Sequence, residues 1–227
     1  MRRAVVLLSG GLDSAVTLAS ARSSGFETYA LSVDYGQRHA RELRSAGLVS
    51  AQLGAAGHRT VSLDLRALGG SALTADGAVP KGRTAAGMAA SIPPTYVPAR
   101  NTILLGLALG YAETLGAFDL FIGANALDYA GYPDCRPEFL QAFEALANVA
   151  TKASVENLTR LRVHAPLVQM TKAQVVREGQ RLGVDFALTW SCYDPTPAGR
   201  TCGLCDACVL RRAGFAEAGV ADPASGA

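Results

Sequence analysis

The 227-residue chain has no apolar run approaching the roughly eighteen residues that a membrane-spanning helix needs. It also lacks the pattern of a signal peptide, because the short apolar run after Arg2 and Arg3 ends at Ser9-Gly10-Gly11. Basic residues are not in excess: the net charge is only +2, which gives no electrostatic footprint for nucleic acid. We therefore expect a cytoplasmic protein with no membrane contact and no direct nucleic-acid binding.

Apolar residues are plentiful, at 49% of the chain, and they fall in alternating strand-like and helix-like segments. This alternation predicts an α/β fold with a Rossmann-like parallel sheet and helices on both faces, followed by a small C-terminal helical knuckle. Strands are predicted at Ala4–Leu8, Thr28–Val33, Arg59–Leu63, Leu120–Gly123 and Leu161–Val163. Helices are predicted at Ser14–Ser23, Arg38–Leu53, Thr102–Leu115, Pro137–Val149 and Lys172–Leu182.

Local signals mark the start and end of the last of these helices. Thr171 is a good N-cap, Gln174 completes a capping box, and Gly183 fits a helix C-terminus. Between the third strand and the third helix, the glycine-rich stretch Gly69–Pro98 has no periodicity. We expect it to be a loop near the functional site.

The first residues carry the strongest functional signal. The apolar run Ala4–Leu8 leads into Ser9-Gly10-Gly11-Leu12-Asp13-Ser14, and a helical pattern follows. A strand, a glycine turn and a helix start aim backbone N–H groups and a helix dipole at an anion. Ser9 and Ser14 add hydroxyl donors. Asp13 would repel a phosphate unless a divalent cation lay between them. The loop is neither a Walker A motif nor G-x-G-x-x-G.

Four of the five cysteines form a C-x9-C-x2-C-x2-C pattern. Four thiolates so spaced suit a closed structural Zn²⁺ site, one per chain, and nearby Arg200, Arg211 and Arg212 could offset its charge. An iron–sulfur cluster is the alternative, although the usual C-x3-C-P continuation is absent. The predicted ligands are Cys192, Cys202, Cys205 and Cys208.

Positive charge at predicted helix starts is a further signal. Asn101 is a plausible N-cap for the third helix, which leaves Arg100 at a helix N-terminus. A cation there opposes the helix dipole, so Arg100 makes better sense as a ligand for a phosphate or carboxylate. Lys152 and Lys172 lie in similar positions and raise the same question.

The segment 125–139 follows the fourth predicted strand and should lie at the carboxyl edge of the sheet, where open α/β sheets bind ligands. It is either a polar surface loop or part of a binding site. Its thiol, Cys135, is either a small packing residue or a functional thiol activated by Arg136. The segment's other candidate groups are Asp128, Tyr129, Tyr132, Asp134 and Glu138.

Together these motifs resemble the QueC family of PP-loop ligases, from residue 4 to about residue 215. The resemblance rests on the loop at 8–14, Asp34-Tyr35-Gly36-Gln37-Arg38-His39, the segments 70–74, 95–101 and 128–139, and the cysteine cluster. It implies an ATP-binding PP-loop domain over residues 1–185, a zinc-binding segment over 186–220, and a flexible tail over 221–227. A homodimer is also implied.

The resemblance further implies a carbon–nitrogen ligase of queuosine biosynthesis. ATP with Mg²⁺ would activate the carboxylate of 7-carboxy-7-deazaguanine, ammonia would give the amide, and a second activation would give the nitrile preQ0. The implied cofactor-binding residues are Leu8, Ser9, Gly10, Gly11, Leu12, Asp13, Ser14 and Asp34. The implied catalytic residues are Asp13, Ser14, Arg100, Lys152 and Lys172. The implied substrate-binding residues are Arg100, Asp128, Tyr129, Tyr132, Asp134, Arg136 and Glu138.

One segment departs from the family's pattern. Ser154 and Asn157 stand where glycines are usual after Lys152, which changes backbone freedom there. An enzyme with another amine acceptor, or a PP-loop enzyme that modifies tRNA, is therefore an alternative. A thiolation enzyme needs a catalytic cysteine outside the metal cluster, and only Cys135 could supply it.

Overall fold

A computed structural model describes residues 1–37, 41–75, 77–84, 87–88, 91–125, 132–156 and 159–224. The strands are β1 (Arg3–Leu7), β2 (Glu27–Asp34), β3 (Gly57–Ser62), β4 (Asp119–Phe121) and β5 (Arg162–His164). The helices are α1 (Leu12–Ser23), α2 (Arg41–Gln52), α3 (Arg100–Leu115), α4 (Pro137–Ala150), α5 (Lys152–Val155), α6 (Lys172–Arg181) and α7 (Asp206–Ala218).

All five strands are parallel, in the order β3-β2-β1-β4-β5. Val5 of β1 pairs with Tyr29 on one side and Leu120 on the other, so β1 lies at the centre. The strand order reverses between β1 and β4, and the carboxyl ends of these two strands frame a topological switch point. Open α/β sheets bind ligands at such a point.

Two apolar clusters cover the two faces of the sheet. The first joins Ala4 and Val6 of β1 to α1, α2, α6 and α7, and the second joins Val5 and Leu7 to α3 and α4. Alternate residues of β1 thus pack on opposite faces, and this explains its unbroken apolar run. The predicted parallel sheet with helices on both faces is confirmed. No helix among the described residues has the length and apolar character needed to cross a bilayer.

The predicted strands and helices all exist, and each end lies within three residues of its predicted position. β4 begins at Asp119 rather than Leu120 because Asp119, although charged, is buried and bonded to Arg2 and His164. The start of α2 was predicted at Arg38, which lies outside the described residues. The capping box of Thr171 and Gln174 is confirmed.

The prediction that Asn101 is the N-cap of α3 is wrong. The helix begins at Arg100, two residues before its predicted start at Thr102, and follows Ala99 in a left-handed conformation with φ of 52°. The cap comes from another loop, because the Asn101 N–H donates to Asp134 Oδ2 at 3.0 Å. The side-chain Nδ2 of Asn101 donates to the Asp134 carbonyl oxygen at 2.9 Å. A carboxylate distant in sequence thus serves the helix start.

Candidate active site and metal centre

The loop between β1 and α1 is held in shape by its own hydroxyl groups. The Ser9 N–H and Oγ both donate to Ser14 Oγ, and Ser14 Oγ donates to the Gly11 carbonyl oxygen at 3.0 Å. Gly10 has φ of +86°, and a Cβ there would overlap the Glu42 carbonyl oxygen. Helix α2 therefore packs on the loop at a point that only glycine allows.

The N-terminus of α1 opens onto this loop. Its N-cap residue is Gly11, which has no side chain to cap the helix, and no described side chain accepts from the N–H groups of Leu12, Asp13 or Ser14. Gly123, just after β4, lies against the same turn, where a Cβ would be 3.2 Å from the Ser14 nitrogen. Uncapped N–H groups beside two glycines leave room for an anion at the positive end of the helix dipole.

Asp13, in the first turn of α1, faces a lysine from the start of α6. Lys172 Nζ donates to both carboxylate oxygens, at 2.7 and 2.9 Å. Both side chains are largely buried, with exposed fractions of 9% for Lys172 and 20% for Asp13. Lys172 thus places a positively charged side chain against Asp13 beside the glycine loop.

A cavity of about 230 Å³ extends from the loop along the carboxyl ends of β1, β2 and β4. Arg100 and Glu42 line it together with Asp13 and Lys172. Burial raises the pKa of Glu42 to about 7, and the Arg100 guanidinium lowers it by a smaller amount. Four aromatic side chains also line the cavity: Tyr35, Tyr132, Trp190 and Tyr193. The cavity thus combines anion-binding groups with flat apolar surfaces.

The substrate-binding residues predicted after β4 do not all reach the cavity. Tyr132 lines the cavity, and its hydroxyl is 2.8 Å from Thr95 Oγ1. Asp134 is buried and caps α3, while Arg136 and Glu138 are exposed at the start of α4 and do not line the cavity. Asp128 and Tyr129 lie outside the described residues.

Two further predicted residues lie away from the cavity. Lys152 is exposed on α5, with Nζ 3.9 Å from Glu156 Oε1. Asp34 accepts the Gly36 N–H in a turn after β2, and its neighbours Val33 and Tyr35 line the cavity in its place. The structure therefore brings Asp13, Ser14, Arg100 and Lys172 together but not these two.

Cys135 packs against the apolar cluster of α3 and α4, and it is 7% exposed. Its Sγ accepts a hydrogen bond from Asn101 Nδ2 at 3.4 Å. Burial, and then the neighbouring Asp134, raise the pKa of the Cys135 thiol to about 11. A thiol with this pKa is protonated at neutral pH and is a weak nucleophile.

The other four cysteines converge before α7. Their Sγ atoms, from Cys192, Cys202, Cys205 and Cys208, all lie within 4.8 Å of one another. Tetrahedral Zn²⁺ with Zn–S bonds of about 2.3 Å would hold the sulfur atoms about 3.8 Å apart. The Cys202 N–H donates to Cys192 Sγ, and the Cys205 N–H donates to Cys202 Sγ. Such donors favour thiolates, so the donor set fits zinc.

The cysteine segment forms one wall of the cavity. The Trp190 N–H donates to the Gly10 carbonyl oxygen at 2.9 Å, and Arg41 stacks 3.9 Å from the Trp190 ring. Arg211 donates hydrogen bonds to Asp222 and Thr189, and a longer one to Ser191, the residue before Cys192. No hydrogen bond or ion pair among the described residues joins Arg211 to a cysteine sulfur, so its role in offsetting the charge of the metal site stays a prediction.

Sequence reasoning missed Glu42, Tyr35, Trp190 and Tyr193 as cavity residues. Tyr35 lies within a motif that was noted, and Glu42 follows that motif by a few residues. Trp190 and Tyr193 flank the first cysteine of the metal centre. Their closeness to noted motifs was the available signal, but their orientation depends on how α2 and α7 pack.

A glycine loop of this form, at the switch point of a parallel sheet and before an open helix N-terminus, defines the PP-loop class of α/β proteins. Within that class, the chain belongs to the QueC family: residues 3–219 match the family model described as "Queuosine biosynthesis protein QueC".

Two relatives show how closely the chain follows that family. It is 63% identical to a "7-cyano-7-deazaguanine synthase" of Syntrophotalea carbinolica, over 99% of this chain and 96% of the relative. It is 65% identical to the protein of the same name from Anaeromyxobacter sp. (strain Fw109-5), over 98% of this chain and 95% of the relative. Among solved structures, NMN synthetase from Francisella tularensis is 19% identical with a TM-score of 0.48, covering 97% of this chain and 73% of that one.

Proposed function

We propose that this chain is an ATP-dependent carbon–nitrogen ligase that converts 7-carboxy-7-deazaguanine and ammonia into 7-cyano-7-deazaguanine, the preQ0 base of queuosine biosynthesis. The observation that carries the proposal is the full-length match to relatives named for that product. The cavity supports it, because an open anion site lies next to aromatic walls of the kind that hold a fused heterocycle.

The loop would bind the phosphates of ATP. The free N–H groups of α1 and the hydroxyls of Ser9 and Ser14 are the donors available there. Asp13 is the carboxylate that fits Mg²⁺, an ion that proteins commonly hold by one carboxylate together with substrate phosphates. Lys172 would pass from Asp13 to the phosphates, where its charge stabilises the leaving group. Arg100, which lines the same cavity, would hold the substrate carboxylate for attack on the phosphate.

The deazapurine ring would lie between the aromatic side chains, with Tyr132 as one stacking surface. Asp128 and Tyr129 remain predicted contacts for its guanine-like edge. We propose that the cysteine segment binds one structural zinc ion per chain. This ion would fix the wall that carries Trp190 and Tyr193, and it would take no part in the chemistry.

Product analysis tests the proposal. The purified protein is incubated with the acid, ATP, Mg²⁺ and ammonium, and products are identified by mass spectrometry. We expect the nitrile, with the amide appearing first, and no product when ATP or ammonium is omitted. Adding methylamine or hydroxylamine tests the alternative that the enzyme uses another amine in place of ammonia. Formation of a substituted amide in preference to the nitrile would contradict ammonia as the natural nucleophile.

We further propose a homodimer formed through α4 and α5. Three large apolar side chains are exposed on these adjoining helices: Leu146 at 53%, Val149 at 76% and Val155 at 63%. Lys152 lies on the same helices, and we assign it to this contact rather than to the cavity of its own chain. Val149→Glu should shift the mass measured by light scattering to that of a monomer. Leu68→Glu, at an exposed apolar residue elsewhere, should leave it unchanged.

The reaction consumes ATP, which fits action in the cytoplasm, and its substrates are small molecules. With a net charge of +2, nothing in the chain favours direct binding of tRNA.

A further inference from the structure

Two carboxylates lie among the described residues that line the cavity, and they differ in their partners. Asp13 receives two hydrogen bonds from Lys172. The carboxylate of Glu42 receives no hydrogen bond or ion pair from any described residue, although Arg100 lies close enough to influence its charge. Glu42 is thus a carboxylate with free lone pairs inside a binding cavity.

Burial and the neighbouring groups together set the pKa of Glu42 to about 7, and none of the described groups forms a salt bridge with it. Arg100 faces it from α3, and Tyr35 faces it from the end of β2. Burial raises the pKa of Tyr35, and the charges of Arg100 and Glu42 act on it in opposite directions. On its own helix, Arg41 is turned away, toward the Trp190 ring and the Gly199 carbonyl oxygen.

The fixed position of Glu42 follows from the packing of α2 on the glycine loop. The backbone of α2 touches Gly10 so closely that a Cβ there would lie 2.6 Å from the Ala46 nitrogen. The backbone of Glu42 thus packs against the glycine loop, and its side-chain carboxylate lines the cavity. Glu42 therefore lines the same cavity as the glycine loop, where a bound phosphate would activate the substrate.

We propose that Glu42 is the general base that accepts a proton from the attacking ammonia in the ligase reaction, an inference that rests on the proposed function. The nitrogen lone pair forms the new C–N bond to the activated carbonyl carbon. The bond from that carbon to the phosphate oxygen breaks, and the phosphate leaves with the electron pair. The proton lost by nitrogen moves to a carboxylate oxygen of Glu42 and is later released to water.

This assignment follows from what each step requires. Activation needs no base, because the substrate carboxylate is already ionised and attacks phosphorus directly. Amination does need one, because the nitrogen carries an excess positive charge once the C–N bond forms. A base with a pKa near 7 is well matched to this task at neutral pH. Asp13 is poorly suited to it, since Lys172 occupies both of its oxygens in this structure and Mg²⁺ would take its carboxylate when ATP is bound.

Glu42→Gln tests the proposal, because an amide cannot accept the proton. Activation is measured without ammonia, as single-turnover consumption of ATP by the acid, and amination is measured by adding ammonium to the activated enzyme. We expect activation to stay within about threefold of wild type and amination to slow by 10² or more, the usual contribution of a general base. Glu217→Gln, at an exposed glutamate of α7, is the matched control and should change neither step.

The pH profile is the second readout. Total ammonium is adjusted at each pH so that free NH₃ stays constant. The wild-type amination rate should then rise with pH through about 7 and level off, because the base must be deprotonated. This rise should be absent in Glu42→Gln and partly restored in Glu42→Asp. The wild-type profile remains informative even where a variant folds poorly.

Amination by Glu42→Gln within threefold of wild type, or a rise that persists in that variant, overturns the inference while the proposed function stands. A wild-type enzyme that forms no amide from the acid, ATP and ammonia overturns the proposed function and this inference with it.

Discussion

Removing the positive charge of Lys172 tests how the cavity holds a buried carboxylate at its phosphate loop. Lys172→Met keeps most of the aliphatic stem, which packs against Gly214 of α7, and removes only the ammonium group. Asp13 then loses both of its hydrogen bonds at 2.7 and 2.9 Å. Asp13→Asn removes the opposite charge, and the double variant removes both.

The loss of stability expected for Lys172→Met can be estimated from the geometry of the ion pair. Two unit charges about 2.8 Å apart attract by about 6 kcal/mol at an effective dielectric constant of 20. Most of this is offset by desolvation, and breaking a fully buried pair costs roughly 3–5 kcal/mol. Because one fifth of Asp13 is exposed, water can recover part of that loss. We expect about 2–3 kcal/mol for Lys172→Met, or roughly 5–10 °C in Tm for a chain of this length.

Urea denaturation measures the free energy of unfolding of the wild type, the two single variants and the double variant. Calorimetry measures their binding of ATP. The double variant should lie within about 1 kcal/mol of wild-type stability, since no unpaired charge remains. It should still fail to form the nitrile, because both groups of the phosphate site are gone. Strictly additive destabilisation, or wild-type stability in Lys172→Met, would refute the argument that the pair is compensated inside the cavity.

Three further predictions follow from the metal centre, the thiol and the sheet edge. Cys205→Ser should lower zinc content, from about one ion per chain by elemental analysis, together with Tm, because metal binding contributes to folding; stoichiometric iron with visible absorbance in the wild type would contradict zinc. Cys135→Ala should retain nitrile formation within a few-fold by mass spectrometry, whereas Arg100→Ala should lose at least about a hundredfold; an inactive but folded Cys135→Ala would show thiol catalysis. Burial raises the pKa of Asp119, but hydrogen bonds from its basic neighbours outweigh this and hold it below the usual range. Asp119→Asn should therefore reduce stability in urea at pH 7, and this difference should begin to shrink below about pH 4 and vanish only as the pH falls through the lowered pKa of the folded protein; a difference that persists unchanged in strong acid would contradict the prediction.

The residues 1–14 and the capping box at Thr171 show what sequence by itself determined. An unbroken apolar run, a glycine turn and a helix start are decided by neighbours in the chain, because backbone conformation and caps involve residues within about four positions. The spacing of the four cysteines likewise brings three thiols onto one turn. The parallel sheet, the glycine loop between β1 and α1 and the clustering of the four cysteines were therefore predictable.

Only the tertiary structure decided which charged groups meet. Lys172 reaches Asp13 across 159 positions of sequence, and Asp134 caps a helix that begins at Arg100. Glu42 enters the cavity because α2 packs on Gly10, and its closeness to the motif at 34–39 does not by itself place it there. These contacts depend on the positions of whole helices on the sheet. Those positions are set by the summed packing of many apolar side chains and not by any local motif.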